Sequence, residues 1–197
     1  MQPMPNAMPA PQAQVYRQHR WSVADYHKMG AAGILDEDAR IELIEGELVE
    51  MAPIGSLHAG KLERLRRLLE QAARDTVLVF SQNPIVLGEH SEPQPDIAVL
   101  RPREDFYEAT HPKPEDVLLL VEVADSSVRY DREVKIPLYA RHGIPEVWLV
   151  DLQEKRLEAH YGLEHSEYRH VDYYRRGRVS MRQWPEVTVD LSDLFQT

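Results

Sequence analysis

The sequence predicts a mixed α/β fold in which a central sheet lies between helices. Three observations carry that expectation. Residues 57–74 repeat leucines at helical spacing, DVLLLVEVAD at 116–125 is an unbroken apolar run of the kind buried on both faces, and 128–151 passes from a helical pattern into a second apolar run, VWLVD. From residue 57 onward the order is helix, two or three strands, helix, strand, with no internal repeat and no second composition regime. One domain over 21–197 is therefore expected.

The elements follow in chain order. Residues 1–20 are rich in Met, Pro, Gln and Ala, too poor in bulky apolar side chains to repay ordering, so a disordered tail is expected. WSVADYHKM places Ser22 as the N-cap of a short helix. RIELIEGELVEM carries two alternating runs around Glu45-Gly46, a tight hairpin. In 57–74, Leu62, Leu65, Leu69 and Ala72 share one face, and charges fill the other. TVLVFSQNPIVL reads as one strand or as two joined by a bend at Asn83-Pro84, and PDIAVL as a short strand entered through Pro95. Residues 128–142 read as a helix ended by Gly143. Pro137 within it belongs near the first turns or at a kink, because it removes a backbone donor. KRLEAHY, SEYRHVDYYRRGRVSM and VTVDLSDLF alternate like strands, with Gly177 at a turn.

Composition excludes several chemistries. The chain has 197 residues and no cysteine, which rules out disulfides, zinc–thiolate sites and thiol nucleophiles. With 23 Lys+Arg against 33 Asp+Glu the formal charge is −10, so contact with nucleic acid requires a local basic patch or bound cations. No apolar run spans a bilayer, and the first residues lack the basic and apolar regions of a signal peptide; a cytoplasmic, membrane-free protein is expected. GxGxxG, P-loop, GxSxG and HExxH patterns are absent.

Three polar residues stand where a core should be apolar or indifferent. Asp96 follows Pro95 into a strand, Glu122 interrupts LLLVEVA, and Lys135 lies on the next helix. Each has a bland alternative: a turn former, a carboxylate in a structural ion pair, a solvated helix charge. Together they suit metal-assisted phosphodiester hydrolysis. Two carboxylates from neighbouring strands can hold Mg²⁺ and an ammonium can stabilise developing negative charge. Asp131, Lys135 and Tyr139 recur at i, i+4 and i+8 and share a face that either looks into the site or lies on the surface. The run Tyr173–Arg178 is the densest basic-aromatic cluster, better explained as a hairpin tip or subunit contact than as a phosphate grip.

PDIAVL, LLVEVADSS and DREVKIPLYARHGIPEVWLVD resemble the Uma-two family of restriction endonucleases, part of the PD-(D/E)XK superfamily; the upstream ELIEGELVEMAP and His58 fit it too. The resemblance covers about residues 21–160 and is most specific over 117–151. It implies a restriction endonuclease-like αβββαβ core with an added N-terminal hairpin and C-terminal strands. It further implies Asp96 and Glu122 as ligands of Mg²⁺ or Mn²⁺, Lys135 as the catalytic amine, and Glu42 and His58 beside the site. The family lysine ordinarily stands two residues after the glutamate, where this chain has Ala124. The implied partners are DNA as substrate and a second copy in a homodimer. A non-catalytic binding or assembly module on the same fold is the alternative.

Overall fold

The computed structural model describes residues 17–36 and 39–195. The expected tail lies outside the described residues up to position 16. Residues 17–20 run against a hairpin formed by β1 (Ile41–Ile44) and β2 (Glu47–Glu50), with Gln18 Nε2 donating to Glu47 Oε1 at 2.9 Å and Arg20 Nε to the Glu45 carbonyl at 2.7 Å. Glu45 and Gly46 both take positive φ (50° and 85°), the conformation that matches a two-residue turn to strand twist. Helix α1 (Val23–Ala31) starts at Ser22 through a reciprocal cap with Asp25, as its sequence predicts.

Strands β3 (Leu78–Ser81), β4 (Ile97–Leu100), β5 (Val117–Ala124), β6 (Glu146–Asp151), β7 (Arg156–Glu164) and β8 (Glu167–Tyr174) form one sheet in that spatial order. Only β5 and β6 are parallel. Every residue of β5 and β6 is buried, because both faces of the sheet are covered. On one face, Leu62, Leu65, Leu69 and Ala73 of α2 (Ser56–Ala73) pack with Val121, Val123, Trp148 and Val150. Ala73, rather than the expected Ala72, completes the buried stripe. The other face carries Leu120, Ala124, Val147 and Leu149 beneath Ile136, Leu138 and Tyr139.

That second covering layer is a broken helix: α3 (Val128–Tyr130), a π-turn (Asp131–Lys135) and α4 (Ile136–Arg141). The Ile136 N–H reaches back five residues to the Asp131 carbonyl. Pro137 follows at once, so the proline expected at a kink sits where the turn is widened and no α-type donor is available.

Two sequence expectations need correction. The region 76–87 is strand only over Leu78–Ser81, since Gln82 turns to φ 54° and Pro84 follows it without a donor. LSDLF is not a strand but the short helix α5 (Leu191–Phe195), which follows β9 (Arg178–Ser180) and β10 (Thr188–Asp190) and is started by Asp190 accepting the Ser192 N–H at 2.9 Å. From α2 to β6 the chain runs helix, three strands, helix, strand, as expected. Among the described residues no helix is long and apolar enough to cross a membrane.

Candidate active site

Strand alternation decides which side chains of β5 meet the broken helix. Val121 and Val123 face α2, so Leu120, Glu122 and Ala124 face the π-turn and α4. Glu122 is thereby driven into an apolar layer, where an unpaired carboxylate is costly, and it is 3% exposed. Its Oε1 accepts Tyr139 OH at 2.5 Å and lies 2.9 Å from Lys135 Nζ. Because Lys135 and Tyr139 are four residues apart, both reach the same carboxylate from above.

Asp96 directly precedes β4. One of its oxygens accepts the Val123 N–H at 2.8 Å and the other lies 3.1 Å from His58 Nε2, on the first turn of α2. Glu42, on β1, is 2% exposed rather than on the solvent face of a hairpin. Its Oε1 accepts the Gln94 N–H at 2.7 Å and Lys135 Nζ at 3.1 Å. Asp131 is also buried, and its Oδ2 accepts Ser127 Oγ at 2.7 Å. Thus Asp131 and Lys135 are interior groups, which removes the surface-pair alternative.

A cleft of about 250 Å³ opens over this cluster, with Asp96, Glu122, Asp131, Lys135 and His58 in its lining and Arg40 at its edge. The structure therefore brings Asp96, Glu122, Lys135 and His58 to one cavity. Glu42 is not in the lining; it stands behind Lys135 and reaches the cleft through that ammonium.

Three carboxylates act on one lysine, and that imbalance governs the protonation states. Burial alone would discharge Lys135, but Glu122, Glu42 and Asp131 outweigh it and hold the ammonium well above its ordinary pKa. Burial pushes the Glu122 carboxyl well above the usual carboxylate range, aided by Asp131, Asp96 and Glu42 and opposed by Lys135. Asp131 is raised for the same reason, against Lys135 and the Ser127 bond. The hydrogen bond that His58 donates to Asp96 raises the imidazole pKa in spite of its burial. Burial and Glu42 push the Tyr130 phenol up to about 12. Two buried oxygens here, Glu42 Oε2 and Tyr130 OH, have no hydrogen-bond partner.

Asp96, Glu122 and Asp131 line the cleft with carboxylate oxygens and surplus negative charge, a donor set that fits a hard divalent cation. Among the described residues no three or more His, Asp or Glu side chains are gathered as a complete ligand shell.

Sequence reasoning missed Arg40, Gln94 and Ser127. Gln94 acts through its backbone N–H and Arg40 is held on the Ala52 carbonyl at 3.1 Å, contacts that leave no trace in spacing or periodicity.

Comparison with known proteins bears on the fold and the family. No functionally curated protein matches the chain. A crystal structure described as "a putative nuclease belonging to DUF820" from Anabaena variabilis superposes with a TM-score of 0.67 at 16% identity, covering 88% of this chain and 97% of that one. At that identity it establishes the restriction endonuclease-like fold. The family model for Uma2, described as "Putative restriction endonuclease", matches residues 23–191, so the chain belongs to the Uma2 family.

Proposed function

We propose that the protein is a divalent-metal-dependent endonuclease that hydrolyses phosphodiester bonds in DNA. The observation that carries this reading is Lys135, a fully buried ammonium placed between Glu122 and Glu42 at the floor of a cleft that also exposes Asp96 and His58. An amine, two carboxylates from adjacent strands and a histidine are the parts that metal-assisted hydrolysis needs, and here they come from four separate parts of the chain.

Asp96 and Glu122 would hold Mg²⁺, or Mn²⁺ in its place. Bound there, the ion would lower the pKa of water and neutralise charge on the phosphate. The residues of the chain supply the rest. Tyr139 and Lys135 fix the Glu122 carboxylate in one orientation. The Lys135 ammonium offers positive charge where negative charge grows in the transition state. His58, kept protonated further into neutral pH by Asp96, would give a proton to the departing oxygen. Glu42 holds Lys135 from behind. A homodimer would present one such cleft to each strand of a duplex.

Supercoiled plasmid with Mg²⁺ tests the reading. Wild type should nick it, and Glu122→Gln should lower turnover by about 10²-fold or more. Calorimetry should show a Mg²⁺ site that Asp96→Asn removes. A wild-type protein that binds Mg²⁺ yet cuts no form of DNA would favour the binding-module alternative.

A further inference from the structure

We propose that Glu158 is a positioning residue for Lys135, acting through Arg132; the catalytic part of this role rests on the reading of Lys135 given above. Glu122 on β5 pairs with Leu149 on β6, and Leu149 pairs with Glu158 on β7. The two glutamates therefore stand in one row across three adjacent strands, on the face that the π-turn covers. Two strand spacings separate them, roughly 10 Å.

The π-turn docks a cation on each. Lys135 meets Glu122 at 2.9 Å, while Arg132, three residues earlier, lays Nε and Nη2 on the two Glu158 oxygens at 3.2 and 2.7 Å. One ion pair fixes a point. Two, anchored on a rigid sheet, fix the rotation of the turn about its axis as well as its height. This matters because a π-turn is a rare conformation with weaker intrinsic preference than the α-helix. Without the Arg132 anchor, the turn keeps the Lys135 pairs and the packing of Ile136 and Tyr139 but loses the second point that fixes its rotation, so Lys135 leaves Glu122 more readily.

Glu158 is itself 1% exposed, a burial that is unfavourable unless the charge is paired. A second arginine, Arg156, also binds it, with Nε and Nη2 at 3.0 and 2.8 Å from Oε1. Arg156 lies on β7 beside Glu158 and belongs to no helix. It balances the charge but cannot position the turn. The two arginines thus separate a structural role from a positioning role.

Lysine acetylation followed by mass spectrometry makes the test, because the chain has only five lysines and Lys135 is 1% exposed. In wild type Lys135 should label far more slowly than Lys28, which is exposed. Arg132→Ala should speed Lys135 labelling about tenfold or more, since releasing the anchor lowers the cost of local opening. Arg156→Ala should leave it protected. Arg132→Ala keeps Glu158 paired to Arg156, so its fold should survive even where Glu158→Gln does not fold. In the nicking assay Arg132→Ala should lower kcat by about 10²-fold with little change in KM. Unchanged Lys135 labelling in Arg132→Ala, or an equal rise in both arginine variants, overturns the clamp. If wild type cuts no DNA the nuclease reading fails, but the labelling still decides whether Glu158 and Arg132 hold Lys135.

Discussion

Replacing Lys135 with methionine should unfold much of what it holds together, and the loss should depend on pH. The ammonium lies 2.9 Å from one buried carboxylate and 3.1 Å from another. At an effective dielectric near 20 each contact is worth about 5 kcal/mol of attraction, most of it offset by desolvation. Removing one partner leaves the opposing charges buried without compensation, at a net cost of about 3–5 kcal/mol. That is a large share of the roughly 5–15 kcal/mol that stabilises a domain. With a urea slope near 2 kcal/mol per M, the midpoint for Lys135→Met should fall by about 2 M at pH 8. Burial already raises the Glu122 carboxyl, and the variant lacks the ammonium that opposes that rise, so its folded state binds the extra proton. The deficit should then be small near pH 4.5 and grow as pH rises. Adding Glu122→Leu should recover part of the loss, because a buried pair replaced by apolar groups is often neutral. Tryptophan fluorescence during urea titration at several pH values is the assay. A shift of less than about 0.5 M at pH 8, or a deficit that does not change with pH, would refute the buried charge centre.

Further outcomes follow from single contacts. His58 should titrate above its ordinary value of 6.5 in wild type and lower in Asp96→Asn, as read from ring proton shifts by NMR. The stability of that pair should be fully present below about pH 6.5 and fade as pH rises through the raised value. Gly46→Ala should cost more than about 1 kcal/mol, since φ is 85° and the new Cβ would stand 2.6 Å from Arg20 Cβ; chemical denaturation measures it. Ser22→Ala removes the side-chain acceptor for the Asp25 N–H and should cost about 1 kcal/mol in the same assay.

The parts of the fold that the sequence announces are those set by local periodicity. Val117–Ala124 declares itself by eight residues buried in succession, α2 by its leucine spacing, and the first hairpin by Glu45-Gly46. Failures occur where non-local bonds choose the conformation. Residues 82–87 leave the sheet because the Ile85 and Leu87 N–H groups pair with the Pro93 and Ser91 carbonyls instead. The candidate site was legible in Asp96, Glu122 and Lys135 because each is polar at a position where polarity needs a reason. Arg132 and Glu158 gave no such sign. Both are ordinary charged residues in alternating or helical patterns, and only the strand register aligns them with Glu122.

That register also explains how an alanine can occupy the position two residues after Glu122. Side chains at i and i+2 of a strand share a face, so a lysine at 124 would rise from the sheet beside the glutamate. In this protein Ala124 is fully buried and packs in the cluster that contains Ile136 and Tyr139. A lysine there would need the space that seats the broken helix. The amine instead descends from the helix layer, from Lys135, and meets the same Oε1 at 2.9 Å. What the proposed chemistry requires is a positive charge at a point, not a residue at a place in the chain. The π-turn supplies that point from the opposite side, and it can do so because the residue beneath it is small. Ala124→Lys should therefore not add a second useful amine. It should displace α4 and lower both stability and activity, and a variant at least as active and stable as wild type would show that the helix layer has room to spare.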